Sequence, residues 1–265
     1  MNQADLWKRV KRAKQWSHRA GVVLNEFFGA VTRVKNKGAV DLVTEADEAA
    51  EALLLSSITE EFPEDSILAE EAGSHHHGTS PWWWVVDPLD GTTNFVHGVS
   101  RFAVSIGITY DGKPVGGVVH DPCSLKTYHA AEGQGAWCES ERLRVSETMS
   151  MGESLLVTGF PYDRADCARE LVAPLVRALE RARGVRRFGS ACLDLVDVAR
   201  GTIDGYWEPR LHPWDMAAGV LLVREAGGQV SRYGDAEFDL NSPDLIASNR
   251  RIHGALVELV GSEPA

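Results

Sequence analysis

Two carboxylates, Asp87 and Asp90, end an apolar run of strand character that breaks at Gly91. Carboxylate oxygens are the ligands that hard divalent cations prefer, and Mg²⁺ takes only one or two of them together with phosphate and water. A glycine-containing turn into a helix offers free backbone N–H groups and the positive end of the helix dipole, which suit a phosphate group. Residues 84–95 therefore predict a cation site beside a phosphate site, and with them metal-dependent phosphate chemistry.

Two further acids could complete such a cation site. Asp87 and Asp90 lie three residues apart at a strand end, so their carboxylates can converge on one point. Asp215 follows Trp214 near a predicted helix start, and Glu70 ends another predicted strand. The alternative for each of these acids is a solvated loop residue or a helix cap, which is an ordinary position for aspartate.

Four sequence blocks together resemble the signatures of the inositol monophosphatase family, the lithium-sensitive sugar-phosphate phosphatases. They follow the family's order and cover most of the chain, and they are residues 41–47, 69–71, 84–95 and 214–219. The resemblance implies an α-β-α-β-α sandwich, a phosphate monoester as substrate, and two or three Mg²⁺ ions as cofactor. It also implies hydrolysis by direct attack of water, with no phosphoenzyme.

The resemblance assigns roles to single residues. A first ion would be held by Glu70, Asp87 and the Leu89 carbonyl, and a second by Asp87, Asp90 and Asp215. The catalytic residues would be Asp47, Thr92 and Glu70, with Asp47 and Thr92 orienting and deprotonating the attacking water. Thr92 and Asp47 could also be helix caps, and capping does not exclude catalysis.

The implied substrate contacts are Asp90, Gly91, Thr92, Gly189, Ser190, Ala191 and Glu208. A carboxylate at Glu208 can accept hydrogen bonds from vicinal hydroxyls and so would select a polyol; the alternative is an exposed loop acid. Together with Thr93, Glu208 favours inositol 1-phosphate as the substrate. Fructose 1,6-bisphosphate and histidinol phosphate remain the alternatives.

Several other residues carry weaker signals. Ala69 stands where many relatives have glycine, and Lys37 lies where relatives often place a lysine that could attract phosphate. Glu71 could orient Glu70 or be a surface residue. We expect a structural role for His212, no part in turnover for residues 75–77 (three histidines), and core and subunit-contact roles for the three tryptophans at 82–84.

The composition excludes some classes of protein. The chain has 265 residues and a formal net charge of −11, whereas nucleic-acid-binding domains carry a basic excess. Its four cysteines have no zinc-site spacing, and we expect reduced, mostly buried thiols. With no signal peptide or apolar span in the sequence, we expect a cytoplasmic protein that does not enter a membrane. The resemblance implies a homodimer and allows RNA polymerase as a partner.

The elements that position these residues follow from periodicity and turn signals. We predict one unit over residues 1–265, with a possible subdomain junction near 141–153 and a polar loop over 72–81. Predicted helices span 4–28, 44–61, 165–183, 190–200, 214–226 and 249–260. Predicted strands span 66–69, 82–87, 154–158, 203–207 and 229–232, with an antiparallel meander over 101–140.

Overall fold

The computed structural model describes residues 1–30, 34–36, 42–75 and 79–261. Four residues singled out above lie outside these ranges: Lys37, Asp41, His76 and His77. A short antiparallel hairpin, β1 (Val34–Asn36) and β2 (Leu42–Thr44), precedes the two main sheets.

The first main sheet has eight strands in the order β10-β9-β8-β7-β6-β5-β3-β4. All neighbours are antiparallel except β3 and β5, which run parallel. The strands are β3 (Ser66–Ala69), β4 (Gly73–His75), β5 (Trp82–Asp90), β6 (Ala103–Tyr110), β7 (Lys113–Asp121), β8 (Lys126–Ala131), β9 (Ala136–Cys138) and β10 (Glu141–Arg142).

The second main sheet has five strands in the order β12-β11-β13-β15-β14. The β11 strand runs parallel to both β12 and β13, and β15 runs antiparallel to both β13 and β14. The strands are β11 (Leu155–Thr158), β12 (Gly184–Arg186), β13 (Gly205–Glu208), β14 (Gln229–Ser231) and β15 (Leu245–Ser248).

Seven α-helices surround these sheets in the part of the chain that the structure describes. They are α1 (Gln3–Phe27), α2 (Glu45–Glu61), α3 (Thr92–Val96), α4 (Arg164–Arg181), α5 (Ala191–Ala199), α6 (Pro213–Glu225) and α7 (His253–Val260). Helices α1 and α2 cover the outer face of the eight-stranded sheet, α5 and α6 lie between the sheets, and α4 and α7 cover the outer face of the five-stranded sheet. This order of layers confirms the predicted α-β-α-β-α sandwich.

Side-chain alternation along the strands divides the core between layers, because successive side chains point to opposite faces of a sheet. On β5, Trp84 and Val86 pack toward α1 and α2, whereas Val85 packs toward α5 and α6. On β13, Tyr206 faces the middle helices and Trp207 the outer ones. Each sheet is therefore buried on both faces at these strands.

Small residues bring α6 close to the first sheet. A Cβ on Gly107 would overlap Ala217, and a Cβ on Gly117 would lie 2.7 Å from the Ala218 carbonyl oxygen. Interiors are packed too densely to absorb such overlaps without a shift of the helix. These contacts fix how α6 lies on β6 and β7, and thereby where Asp215 in its first turn is placed.

The predicted helices and strands are confirmed to within a few residues, with three corrections. Residues 72–81 are not wholly a loop, because β4 turns back at Gly73 (φ +74°) and pairs with β3. The last helix begins at His253 rather than 249, and β12 and β15 were missed. The single unit and the junction near 141–153 stay predictions, although the chain passes from one sheet to the other between β10 and β11.

Candidate active site

The first two carboxylates, those of Asp87 and Asp90, lie at the irregular end of β5. Its pairing with β6 shifts register between Asp87 and Asp90, around Pro88, which has no N–H to donate to the ladder. The Leu89 N–H instead donates to Oδ1 of Asp87 at 2.9 Å. This bulge lets two acids three residues apart face the same side.

Gly91 then turns the chain from β5 into α3. Its φ is +100°, in the left-handed region that favours glycine. A Cβ there would lie 3.0 Å from the Arg101 carbonyl oxygen and 3.2 Å from that of Gly189. Conformation and space therefore both favour glycine at this position.

All five predicted metal ligands line one cavity of about 190 Å³. Its lining comprises Glu70, Asp87, Leu89, Asp90, Gly91, Thr92, Tyr162, His212, Trp214 and Asp215. Residues from β5, α6 and the segment after β3 thus converge from distant parts of the sequence. Asp87 and Asp90 are buried, and Glu70 and Asp215 are half-buried.

The first turn of α5 holds Asp90 in place. Its carboxylate accepts hydrogen bonds from the Ser190 hydroxyl at 2.5 Å, the Cys192 N–H at 2.8 Å and the Ala191 N–H at 3.1 Å. The positive end of the α5 dipole stabilises a negative charge at this position. The structure shows that Ser190 and Ala191 orient an acid of the cavity, and their contact with substrate stays a prediction.

Asp215 is both a helix cap and a residue of the cavity lining. Its carboxylate accepts the His212 N–H at 2.7 Å, which completes a capping box at the start of α6. The His212 ring stacks on Trp214, with 4.8 Å between ring centroids. His212 itself lines both this cavity and the adjoining one, so its structural role stays a prediction, and capping leaves Asp215 in the cavity lining.

The acids of this cavity repel one another. Burial raises the pKa of Asp87 well above its usual range, and the neighbouring Glu70, Asp90 and Asp215 raise it further. Burial also raises the pKa of Asp215, with the Asp90 charge as the next cause. A bound cation would relieve this repulsion, and an all-oxygen donor set fits a hard divalent ion. The residues present therefore fit Mg²⁺.

Thr92 lines this cavity, and its side chain lies against the buried Asp47. The Thr92 hydroxyl is 3.3 Å from Oδ1 of Asp47 and 3.1 Å from the Leu89 carbonyl oxygen. The other carboxylate oxygen of Asp47 accepts the Thr44 N–H and O–H at 2.9 and 2.5 Å, forming the predicted capping box of α2. Gly91, not Thr92, is the N-cap of α3, so the capping alternative for Thr92 is wrong.

An adjoining pocket of about 250 Å³ holds the remaining predicted substrate residues, Gly189 and Glu208 among them. Glu208 is buried, not an exposed loop acid, and it accepts the Tyr206 hydroxyl at 2.6 Å. Burial raises the pKa of Glu208 to about 7. Asp90, Gly91 and Asp215 line both cavities. A ligand whose phosphate lay in the acidic cavity would therefore extend into this pocket.

Sequence reasoning missed the basic rim of this pocket. Arg164, Arg187 and Arg210 line it together with Tyr162. Arg187 lies against Gly189, and Arg210 pairs with Asp163. These residues come from the start of α4, the segment after β12 and the segment after β13. No periodicity in the sequence indicates that those segments meet.

A thiol also lies beside the carboxylates. The Sγ atom of Cys192 and one carboxylate oxygen each of Asp87 and Asp90 lie within 4.8 Å of one another. The four cysteines are free, and two of them, Cys167 and Cys192, are buried. The expectation of free thiols is confirmed, whereas the expectation that most are buried holds only for these two, since Cys123 is exposed and Cys138 is half-buried.

The sequence and the fold both match known phosphatases. The model of the inositol monophosphatase family matches residues 5–265. An inositol-1-monophosphatase from Synechocystis is 44% identical over 262 residues, which cover 98% of this chain and 91% of that protein. A Nus factor SuhB from Salmonella typhimurium is 38% identical over 243 residues, covering 91% of both chains.

A solved structure of a relative has the same fold. The inositol monophosphatase from Anabaena superposes with a TM-score of 0.88 at 39% identity, covering 97% of this chain and 96% of that one. The layered fold and the acidic cavity therefore define a phosphatase, a hydrolase of phosphate esters. The chain belongs to the inositol monophosphatase family. Among the described residues, no helix is both long enough and apolar enough to cross a bilayer.

Proposed function

We propose that this protein hydrolyses a phosphate monoester of a polyol, with inositol 1-phosphate as the favoured substrate and Mg²⁺ as cofactor. The observation that carries the proposal is the convergence of Glu70, Asp87, Leu89, Asp90 and Asp215 on one cavity that also contains the Gly91 turn. An acidic cavity alone would repel a phosphate. With cations in it, the same cavity attracts one.

The proposed metal ligands divide into two overlapping sets. Glu70, Asp87 and the Leu89 carbonyl would hold one ion, and Asp87, Asp90 and Asp215 a second. When bound, Mg²⁺ supplies Lewis-acid chemistry: it lowers the pKa of water and offsets negative charge on phosphoryl oxygens.

Thr92 and Asp47 position the attacking water. The Thr92 hydroxyl donates to Asp47, which leaves its oxygen lone pairs free to accept a hydrogen bond from water. Burial raises the pKa of Asp47 to about 6. Its carboxylate can therefore accept the Thr92 hydroxyl proton while the Thr92 oxygen accepts a proton from the water. Thr44 fixes Asp47 from the opposite side. Glu70, at the cavity edge, is the third proposed catalytic residue.

The Gly91 turn holds the phosphate. The N–H groups of Gly91 and Thr92 lie at the start of α3, where helical acceptors are lacking. They would donate to phosphoryl oxygens whose charge grows in the transition state. Gly189, Ser190 and Ala191 continue this surface into the neighbouring pocket.

Glu208 supports the polyol assignment. Its carboxylate lies in the pocket lining, buried and oriented by Tyr206, where it can accept hydrogen bonds from hydroxyls of the alcohol moiety. Thr93 lines the same pocket. Fructose 1,6-bisphosphate and histidinol phosphate remain the alternative substrates.

The test is phosphate release from inositol 1-phosphate, fructose 1,6-bisphosphate, histidinol phosphate and 3′-phosphoadenosine 5′-phosphate, each with Mg²⁺ and with chelator. We expect Mg²⁺-dependent release with the highest kcat/KM for inositol 1-phosphate. Preference for another ester would keep the mechanism and reject the substrate. Release that is unaffected by chelator would reject the metal assignment.

A second candidate function is a regulatory contact with the transcription machinery. Similarity to the relative named Nus factor SuhB favours it, and the family resemblance allows RNA polymerase as a partner. The test is capture from cell extract without Mg²⁺, in which RNA polymerase should copurify in stoichiometric amount. The absence of polymerase together with full phosphatase activity would reject this role.

We also propose a cytoplasmic homodimer. Light scattering of the purified protein should then give twice the chain mass of 29.0 kDa. A mass of one chain at working concentration would contradict the dimer.

A further inference from the structure

A second cleft with a basic lining lies away from the candidate active site. Its volume is about 470 Å³, and its lining comes from β10 and the connection after it, the end of α6 and the turn after β15. Its charged residues are Arg142, Arg144, Arg250, Arg251, Glu147 and Glu225. None of these residues lines either cavity of the candidate active site.

The topology separates the two places. Asp215 is in the first turn of α6 and Glu225 is the last residue of that helix, which puts them about 15 Å apart at 1.5 Å per residue. On the five-stranded sheet, Leu245 pairs with Glu208 in the substrate pocket, whereas Ser248 pairs with Gly205 at the other end of β13. The cleft therefore lies at the opposite end of both elements.

The two acids of the cleft already have partners. Both carboxylate oxygens of Glu225 accept backbone N–H groups, from Gly133 at 2.8 Å and from Gly135 at 2.7 Å. Glu147 pairs with Arg251. These contacts hold both acids in place at the cleft wall.

The arginines of the cleft differ from one another in their contacts. Arg142 lies over the Trp137 ring, 5.8 Å from its centroid. For Arg144 and Arg250, the described part of the chain offers no carboxylate partner within ion-pair distance. In a chain with a net charge of −11, the cleft thus presents two exposed arginines that no carboxylate of the described residues neutralises.

The turn that carries Arg250 is rigidly built and strained. The buried Asn249 side chain donates to the Ser146 hydroxyl at 2.9 Å and the Thr148 carbonyl at 2.8 Å, and it accepts two backbone N–H groups of the same turn. Arg250 itself has a φ of +73°. A positive φ strains a residue that has a Cβ, so the turn holds Arg250 in a conformation that arginine does not favour by itself.

We propose that this cleft binds an anion with two phosphoryl groups, either free diphosphate or the diphosphate of a nucleotide, with Arg144 and Arg250 as its main contacts. A guanidinium presents a planar pair of N–H donors that matches the oxygens of one phosphoryl group. Arg144 and Arg250 would each supply one such pair of donors, which matches two phosphoryl groups. The cleft volume falls within the range of about 300–1,000 Å³ that is usual for small-molecule sites.

The test is calorimetric titration with inorganic pyrophosphate and with ADP, both in chelator and without Mg²⁺, so that the acidic cavity holds no cation to attract them. The variant is Arg144→Ala combined with Arg250→Gly. Glycine accepts the positive φ at 250, so this change removes a charge and relieves strain. The matched control is Arg169→Ala, which removes an exposed arginine of α4.

We expect one pyrophosphate per chain, with a Kd that rises on the order of tenfold or more in the double variant and stays unchanged in the control. Phosphate release from inositol 1-phosphate with Mg²⁺ should be the same in all three proteins. Tighter binding of ADP than of pyrophosphate would assign the site to nucleotides, and equal or weaker binding of ADP would assign it to free diphosphate. Failure of the wild type to bind either probe, or equal affinity in the double variant, would overturn the proposal.

Discussion

The Ser190 hydroxyl donates a 2.5 Å hydrogen bond to Oδ2 of Asp90, linking the N-cap of α5 to the last residue of β5. Two N–H groups from the first turn of α5 donate to the same carboxylate. One aspartate thus satisfies helix donors that would otherwise lack partners and also lines the proposed metal cavity. Its substitution therefore has to be assessed by activity and stability together.

Asp90→Asn should abolish turnover while the fold is retained. The variant loses the charge that would bind a cation, and its amide cannot accept all three hydrogen bonds. We expect kcat to fall at least about 10³-fold and the free energy of unfolding to fall by about 1–3 kcal/mol. Phosphate release and urea unfolding measure the two effects.

Ser190→Ala is the matched control for that change. It removes one hydrogen bond to Asp90 and the cap contact with the Leu193 N–H but keeps the carboxylate, so stability should fall by about 1–2 kcal/mol while most of kcat remains. Normal activity in Asp90→Asn would overturn the metal assignment. Equal activity losses in the two variants would point to orientation, not charge, as the role of Asp90.

Removing the Thr92 hydroxyl should affect the chemical step. Thr92→Val keeps the shape of the side chain but cannot contact Asp47 or orient water, so we expect kcat to fall about 10²-fold or more with little change in KM. Thr92→Ser keeps the hydroxyl and should retain most activity. If single-turnover rates are equal for the valine and serine variants, the hydroxyl has no catalytic role.

Gly91→Ala should damage both the fold and the phosphate site. Its φ of +100° strains any residue with a Cβ, and that Cβ would lie 3.0 Å from the Arg101 carbonyl oxygen. We expect the free energy of unfolding to fall by about 1–3 kcal/mol and KM for the phosphate ester to rise. Gly98→Ala, which has a similar φ of +72° but open space around it, is the control for strain alone. Equal effects in both variants would show that space at Gly91 is unimportant.

Much of the site could be predicted because its residues lie in short, contiguous motifs. Asp87, Asp90 and Gly91 follow one apolar strand, and the Thr44–Asp47 capping box is visible from residue spacing alone. Each of those inferences depends on local chemistry. The family resemblance supplied the long-range part, namely that Asp215 joins residues more than a hundred positions earlier.

The features that were missed depend on tertiary contacts. Arg187 reaches the pocket only because β12 pairs with β11, and β12 is a three-residue strand without a clear pattern. Likewise β15 was missed because its four residues are all buried and so show no alternation. The left-handed Arg250 could not be inferred from its residue type, since arginine does not favour that conformation.

His120 should make the fold less stable in mild acid. It is buried, its Nδ1 lies 2.9 Å from the Thr127 hydroxyl, and burial lowers its pKa to about 4, with a smaller effect of the neighbouring His18. The lowered pKa means that the unfolded chain binds a proton below about pH 6.5 while the folded chain does not. Stability therefore falls as the pH drops from about 6.5 to 4.

Urea unfolding at pH 7.5 and pH 5 measures this effect. The wild type should lose about 2 kcal/mol more between the two pH values than His120→Gln, which cannot be protonated. His18→Gln removes a more exposed neighbouring histidine and should leave most of the difference in place. An unchanged pH dependence in His120→Gln would place the sensitivity elsewhere.

Glu208 should determine recognition of the alcohol moiety rather than the chemical step. Glu208→Gln keeps the size of the side chain but weakens its acceptor strength, so KM for inositol 1-phosphate should rise about tenfold with kcat nearly unchanged. For glycerol 2-phosphate, which has no ring of vicinal hydroxyls, KM should change much less. Gly159→Ala tests the same contact from the other side, because its Cβ would overlap the Glu208 carboxylate and displace it. Both variants should therefore lose discrimination between the two esters, and an unchanged KM ratio in both would remove Glu208 from substrate selection.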